Sequence, residues 1–132
     1  MILADTSAWI EYLRATGSVT DLHMIELVKR PDDLLITEVV VMEVLAGARR
    51  GVDQVRLKQL LYRHSLAGLD GLPDFEVAAL LYLTCRQAGE TVRKMTDCMI
   101  AAVAIRNEVE LLAVDRDFEA IARHTQLRLV ST

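Results

Sequence analysis

Acidic side chains follow two short apolar segments of this 132-residue chain, at the point where each segment ends. Asp5 comes directly after residues 2–4, and Asp115 comes directly after residues 111–114. If both segments are parallel strands of an open α/β sheet, the acids lie at the carboxyl edge, where such sheets bind ligands. The two residues are therefore candidates for one site at that edge.

Two further acids occur in apolar helical patterns. Glu43 lies within the apolar stretch 39–46, and Asp97 begins the apolar stretch 97–105. A buried carboxylate costs several kcal/mol or titrates away unless a partner or a cation compensates it. We therefore expect Glu43 and Asp97 to face the same site, with Asp97 held at the start of a rigid helix.

Each acid also has a simpler explanation. Asp5, Asp97 and Asp115 could each cap the helix that follows, because Asp is a preferred N-cap residue. Glu43 could lie on a narrow solvent-exposed stripe, and Asp117 could belong to a turn. Each alternative is reasonable for its own residue. A shared site explains all of these acids together better than a separate local role for each one.

A cluster of these carboxylates would require a cation. Carboxylates about 4 Å apart repel each other by roughly 4 kcal/mol per pair at an effective dielectric near 20. The ligands would all be oxygens, because His23, His64 and His124 are scattered and are expected at the surface. That ligand set favours Mg²⁺ or Mn²⁺ over zinc. Such an ion can orient a phosphodiester and activate water for hydrolysis.

The elements that must position these acids alternate along the chain, which predicts an α/β sandwich around a parallel sheet. Apolar segments predict strands over residues 2–4, 34–36, 65–69, 111–114 and 127–130. Periodic segments predict helices over residues 7–13, 18–29, 37–48, 52–62, 73–88, 97–107 and 115–123.

Composition narrows the class of protein. A chain of this length predicts one domain. The net charge of −4 repels a polyanion, so nucleic-acid binding would need a local basic patch or a metal. The hydrophobic share of 52% suggests that some apolar surface meets another chain. Cys85 and Cys98 lie in apolar helical patterns and are expected to be buried thiols.

The start of the chain does not have the pattern of a signal peptide. It lacks a basic segment, and Asp5 interrupts the apolar stretch. No apolar run approaches the ~20 residues of a membrane span. These features predict a cytoplasmic protein without membrane association.

Four motifs in this order resemble the PIN-domain ribonucleases, and more narrowly the VapC-type toxins of type II (VapBC) toxin–antitoxin systems. They are residues 2–10 (ILADTSAWI), 43–47 (EVLAG), 97–104 (DCMIAAVA) and 114–118 (VDRDF). Each motif is loose alone, but the ordered set is specific. The resemblance covers the whole chain and implies a single PIN domain over residues 1–132.

The resemblance implies a three-layer α/β/α sandwich with a central five-stranded parallel sheet. It also implies an acidic quartet that binds Mg²⁺ or Mn²⁺, an assisting acid, and a supporting hydroxyl. These are Asp5, Glu43, Asp97 and Asp115 for the quartet, Asp117 for the assisting acid, and Thr6 or Ser7 for the hydroxyl. The implied activity is cleavage of RNA, expected to be tRNA or rRNA, by metal-activated water, which inhibits translation and growth. The implied partners are a second copy of the chain and a VapB-type antitoxin, in a toxin–antitoxin hetero-oligomer.

Basic residues near the acids are the candidates for holding the RNA backbone. Arg49 and Arg50 follow the predicted Glu43 helix, and Arg93 and Lys94 precede Asp97. Each pair could instead be a solvated helix end or loop. Trp9 and Tyr12 could stack on bases, although core or dimer contacts explain them better.

Other functions fit less well. A haloacid-dehalogenase-like phosphatase needs a second acid two residues after the first, but that position is Ser7. A response-regulator receiver needs a lysine after a late strand, where this chain has only Ser131 and Thr132. A metal-dependent module that binds RNA or protein without cutting it remains as the alternative. Loss of one carboxylate would distinguish that module, and none is lost.

Overall fold

The computed structural model describes residues 1–131, over which four strands and seven α-helices alternate. The strands are β1 (Ile2–Ala4), β2 (Leu34–Ile36), β3 (Ser65–Leu66) and β4 (Glu110–Leu112). The helices are α1 (Thr6–Leu13), α2 (Val19–Val28), α3 (Glu38–Ala46), α4 (Gln54–Leu61), α5 (Leu72–Gln87), α6 (Met95–Arg106) and α7 (Arg116–His124). A short 3₁₀ helix, Pro31–Asp33, precedes β2.

The strands form one parallel sheet in the order β3-β2-β1-β4. Leu3 in the middle of β1 pairs with Leu35 on one side and Leu111 on the other. Because all strands run in the same direction, the residues that follow them meet at a single edge. The amide of Asp5 donates to the carbonyl of Leu112 over 2.9 Å, which brings the ends of β1 and β4 together.

The sheet has four strands, whereas five were predicted. The segment predicted as the fifth, residues 127–130, makes one parallel bridge between Leu111 and Leu129. Two hydrogen bonds accompany it, Leu111 N to Arg128 O and Val130 N to Leu111 O, both 2.9 Å. In this segment only Leu127 is fully buried. Leu129 and Val130 are half-buried against the core, so the segment lies along the edge of β4 with a single bridge instead of a continuous strand ladder.

Helices flank the sheet, and strands β1, β2 and β4 are apolar on both faces, whereas β3 is exposed. Leu3, Leu34, Ile36, Leu111 and Leu112 are all almost completely buried. Continuous apolar burial of this kind is typical of parallel strands covered from both sides. The predicted parallel α/β architecture is confirmed.

Two expectations about single residues have different outcomes. Cys85 and Cys98 are free and buried, as predicted. The expectation that all three histidines lie at the surface is wrong for His64, which is 5% exposed. Its ring packs 5.6 Å from the ring of buried Trp9, and its Nδ1 lies 3.3 Å from the carbonyl of Pro31. Within residues 1–131, no helix is both long and apolar enough to cross a membrane.

Candidate metal centre

Asp5 caps helix α1 and still keeps one carboxylate oxygen free. Its Oδ2 accepts hydrogen bonds from the Ser7 amide over 3.0 Å and from the Ser7 hydroxyl over 2.6 Å. Its Oδ1 is buried and has no hydrogen-bond partner within residues 1–131. Burial raises the pKa of Asp5, the bonds from Ser7 oppose that rise, and nearby Glu43 adds to it. The capping explanation is therefore correct but accounts for only one of the two oxygens.

Asp97 does not cap a helix. Helix α6 begins at Met95 with Lys94 as the N-cap, so Asp97 is the third helical residue, and the capping explanation is wrong here. Its side chain is 2% exposed, and its Oδ2 finds no partner among the described residues. Burial raises the pKa of Asp97 to about 7, and the charges of Asp5, Asp115 and Glu43 contribute, while Lys94 opposes. The four predicted acids therefore lie within electrostatic reach of one another.

Glu43 is fixed from the side of α1. Its Oε1 accepts a hydrogen bond from the Thr6 hydroxyl over 2.7 Å, across 37 residues of sequence. Glu43 is half-buried on α3, beside Met42, which is exposed. A solvent-exposed stripe therefore does run beside Glu43, but the contact with Thr6 turns its carboxylate toward the sheet edge.

The two hydroxyls after Asp5 have separate roles. Thr6 holds Glu43, whereas the Ser7 hydroxyl donates to Asp5 and accepts from the amide of Val114 over 3.0 Å. Ser7 therefore ties the start of α1 to the segment that follows β4. The sequence named Thr6 or Ser7 as a supporting residue, and in the structure both contact the site.

Asp115 and Asp117 lie at the start of α7 and complete the cluster. Asp115 is the N-cap, and its Oδ1 accepts from the Asp117 amide over 2.9 Å. Asp97, Asp115 and Asp117 each offer an oxygen, and these atoms all lie within 4.8 Å of one another. The chain has therefore brought together an acidic cluster that could hold a metal ion.

Arg93 lies beside this cluster, as its position near Asp97 suggested, but its bonds to Asp115 and Asp117 were not predicted. Its Nε donates to Asp117 Oδ2 over 2.9 Å, and its Nη2 donates to Asp115 Oδ1 over 3.0 Å. These contacts raise the pKa of the guanidinium. Residues 93 and 115–117 are far apart in sequence, so only the tertiary fold shows that they meet.

The other predicted basic residues differ in their surroundings. Arg49 and Arg50 are exposed beyond the end of α3, and Lys94 is the N-cap of α6. A cavity of about 380 Å³ adjoins Glu43 and is also lined by Arg14 and Arg49. Arg14 was not predicted, although it follows the helix that begins beside Asp5.

The stacking hypothesis for Trp9 is not supported, because its side chain is completely buried. Its ring packs edge-on against Tyr12, with centroids 6.0 Å apart. The core explanation is correct for this pair.

The donor set suits a hard divalent cation. Two buried carboxylate oxygens, Asp5 Oδ1 and Asp97 Oδ2, have no partner in the part of the chain that the structure describes. Unpaired buried carboxylates are costly, and the cluster offers only oxygen ligands of the kind that Mg²⁺ and Mn²⁺ prefer. A bound cation would compensate both the burial that mainly raises the pKa of Asp97 and the repulsion from neighbouring acids that adds to it.

Comparison with known proteins shows the family of this chain. The PIN domain family matches residues 2–124. Ribonuclease VapC11 of Mycobacterium tuberculosis is 41% identical over 132 residues, which cover 99% of this chain and 98% of the relative. The fold resembles VapBC2 of Rickettsia felis, solved bound to a DNA fragment from its promoter, with a TM-score of 0.75, 18% identity, and 98% of each chain covered. It also resembles a toxin–antitoxin complex from Klebsiella pneumoniae, with a TM-score of 0.69, 22% identity, and 89% and 90% covered. The chain therefore belongs to the PIN-domain family and, within it, to the VapC group.

Proposed function

We propose that the protein is a metal-dependent endoribonuclease, the toxin of a VapBC-type toxin–antitoxin system. The observation that carries the proposal is the pair of buried, unpartnered oxygens of Asp5 and Asp97 at the carboxyl edge of the sheet. Two buried carboxylate oxygens without partners favour the binding of a cation. The relative VapC11 is a ribonuclease. We propose Mg²⁺ or Mn²⁺ as the ion.

The proposed site residues have different roles. Asp5 and Asp97 hold the ion, Glu43 and Asp115 complete the ligand set, and Asp117 supports Asp115. When bound, the ion polarises the phosphodiester and makes water a stronger nucleophile. Asp97 must give up its proton for the ion to bind, because its pKa is about 7 in the ion-free protein. Ion binding should therefore strengthen as the pH rises through that value.

The hydroxyls keep the carboxylates oriented. Thr6 fixes Glu43, and Ser7 fixes Asp5. Contacts of this kind hold metal ligands in place and typically change affinity or activity by about 10- to 100-fold when lost. Each carboxylate keeps one oxygen that these hydroxyls do not engage, which would be available to a bound ion.

We propose that the substrate is an RNA, with tRNA or rRNA as the first candidates. The net charge of −4 repels RNA, so local cations are needed. Arg14 and Arg49 line the cavity beside Glu43, and Arg50 is exposed nearby in sequence. We propose these residues, with Lys94, as phosphate contacts.

We propose that the partners are a VapB-type antitoxin and a second copy of this chain. We propose that they assemble in the cytoplasm. Similar folds occur in VapBC2 and in a toxin–antitoxin complex. Large apolar side chains are exposed on α5, including Leu72 at 69% and Leu80 at 62%. Exposed apolar surface of this kind is typical of chains that associate.

The direct test is metal-dependent cleavage of RNA. Purified chain with Mg²⁺ or Mn²⁺ should cut members of a panel of structured RNAs at discrete sites. EDTA should abolish the cutting, and excess Mn²⁺ should restore it. Equal cutting rates with and without EDTA would contradict the proposal, and so would intact RNA at every metal concentration. The second outcome would favour a module that binds without cutting.

A further inference from the structure

Arg93 is exposed, yet three of its donors are committed to two carboxylates. Its side chain is 60% exposed. Nε and the backbone amide both donate to Asp117 Oδ2, over 2.9 Å and 3.2 Å. Nη2 donates to Asp115 Oδ1 over 3.0 Å. A planar guanidinium that bridges two acids in this way offsets one of their two negative charges and fixes both carboxylates.

The acidic cluster therefore has two unlike ends. At the Asp115–Asp117 end, Asp115 Oδ1 and Asp117 Oδ2 both accept from Arg93. At the Asp5–Asp97 end, each residue keeps a buried oxygen with no partner in the described chain. Lys94 acts on this end only at a distance, by opposing the rise in the pKa of Asp97.

The ligand count alone would allow two cations. Paired metal ions about 3.5–4 Å apart are common at sites that hydrolyse phosphodiesters. Asp97 could be shared between them, because its oxygen lies within 4.8 Å of oxygens of Asp115 and Asp117. The guanidinium of Arg93, however, already supplies positive charge at the Asp115–Asp117 end.

We propose that Arg93 is a resident cation that takes the place of a second metal ion. The protein then binds one divalent ion, held by Asp5 and Asp97 with Glu43 and Asp115, and Arg93 keeps a second ion from binding between Asp115 and Asp117. Arg93 is thus a positioning residue, since it fixes both carboxylates of α7. This inference rests on the proposed metal-dependent function, and it names the number of ions that the site accepts.

The test measures the number of ions bound per chain and does not depend on the rate of RNA cleavage. Mn²⁺ is titrated into the full chain without RNA, and free Mn²⁺ is followed by electron paramagnetic resonance, at about pH 8 so that Asp97, with a pKa of about 7, is ionised. The parent protein should bind one ion per chain. The Arg93→Gln variant should bind a second ion. Its dissociation constant for that ion should be at least about tenfold lower than the parent's, equivalent to about 1.4 kcal/mol.

Arg116→Gln is the matched control. Arg116 lies between Asp115 and Asp117 in sequence and is exposed, and it makes no ion pair within residues 1–131. The substitution removes the same charge, so general electrostatics would give both variants the same second ion. Arg93→Lys covers the case in which Arg93→Gln does not fold, because it keeps the charge but loses the bridge. It should bind a second ion more weakly than Arg93→Gln and more tightly than the parent.

The outcomes separate this inference from the proposed function. A parent protein that binds two ions of similar affinity overturns the inference alone. Folded Arg93 variants that bind only one ion also overturn it, because a purely structural arginine would change stability and not ion number. A parent protein that binds no Mn²⁺ overturns both the inference and the proposed metal centre.

Discussion

Two of the acids at the sheet edge, Asp5 and Asp115, are also helix N-caps. Asp5 and Asp115 each use one oxygen at a helix start, and Asp5 retains a buried oxygen with no partner among residues 1–131. The sequence predicted which acids would gather, because their positions follow strands or interrupt apolar helices. It did not predict the bridge from Arg93, since that bond joins residues 22 and 24 positions apart.

At the residue scale, Asp97 makes the ion-free protein sensitive to pH. Burial and neighbouring acids raise its pKa from 3.8 to about 7. Between those values the folded protein holds a proton that the unfolded chain has released. The free energy of unfolding therefore falls as the pH rises from about 4 to about 7.

The substitution Asp97→Asn should remove this fall in the free energy of unfolding at higher pH. In EDTA at about pH 8, urea unfolding should show the variant more stable than the parent by at least about 1 kcal/mol, since one pKa unit is worth about 1.4 kcal/mol. At about pH 5 the difference should shrink. Asp32→Asn, at an exposed acid outside the cluster, is the control and should change neither value. A variant less stable than the parent at both pH values would contradict the assignment.

At the element scale, the seven α-helices of residues 1–131 begin and end within two residues of their predicted limits, because the apolar period and the turn residues agree locally. The start of helix α6 is the informative difference. The sequence placed its start at Asp97 because Thr96 and Asp97 are good capping residues, but the helix begins at Met95. This shift places Asp97 inside the first turn. The short β4 and the single bridge at Leu129 likewise reflect tertiary packing at a sheet edge.

An ion pair between the half-exposed Arg106 and the buried Asp74 joins the two longest helices, α5 and α6. Arg106 donates from Nε to Asp74 Oδ1 over 3.0 Å and from Nη2 to Asp74 Oδ2 over 2.9 Å. The Asp74 side chain is 3% exposed. Burial raises the pKa of Asp74, but the bonds from Arg106 and from the Asp70 amide outweigh it, so the pKa is lowered. The stability from this pair is present at neutral pH and is lost as the pH falls through the lowered pKa.

Asp74→Asn should destabilise the fold by about 2–3 kcal/mol, because Arg106 would keep its charge without a carboxylate. Chemical unfolding at neutral pH measures this loss. Glu26→Gln is the matched control, since it breaks the exposed pair of Glu26 with Lys29, a kind of pair worth about 0–1 kcal/mol. Equal effects of the two substitutions would show that burial does not distinguish these pairs.

At the scale of the whole molecule, the parallel sheet sets the position of the site. Strands β1 and β4 lie side by side and end at one edge, and helices α3 and α6 bring Glu43 and Asp97 to that edge. The sequence predicted the sheet and its edge, but the exposed apolar side chains of α5 are visible only in the structure.

The exposed apolar surface leads to a prediction about assembly. Light scattering of the purified chain at micromolar concentration should give about twice the 14.8 kDa of one chain. The expected reason is that association covers apolar side chains that one copy leaves in water. A mass near that of one chain would argue against a homodimer.

The proposed RNA cleavage depends on the acids at the sheet edge. The most direct measurement compares the rate of RNA cleavage by the parent protein, Asp5→Asn and Asp32→Asn in saturating Mn²⁺. We expect Asp32→Asn to cut as fast as the parent. We expect Asp5→Asn, which keeps the size of the capping side chain but loses its charge, to cut at least about 100-fold more slowly, consistent with losing an interaction worth about 3 kcal/mol in the transition state. Cleavage by Asp5→Asn at the rate of the parent would contradict the account.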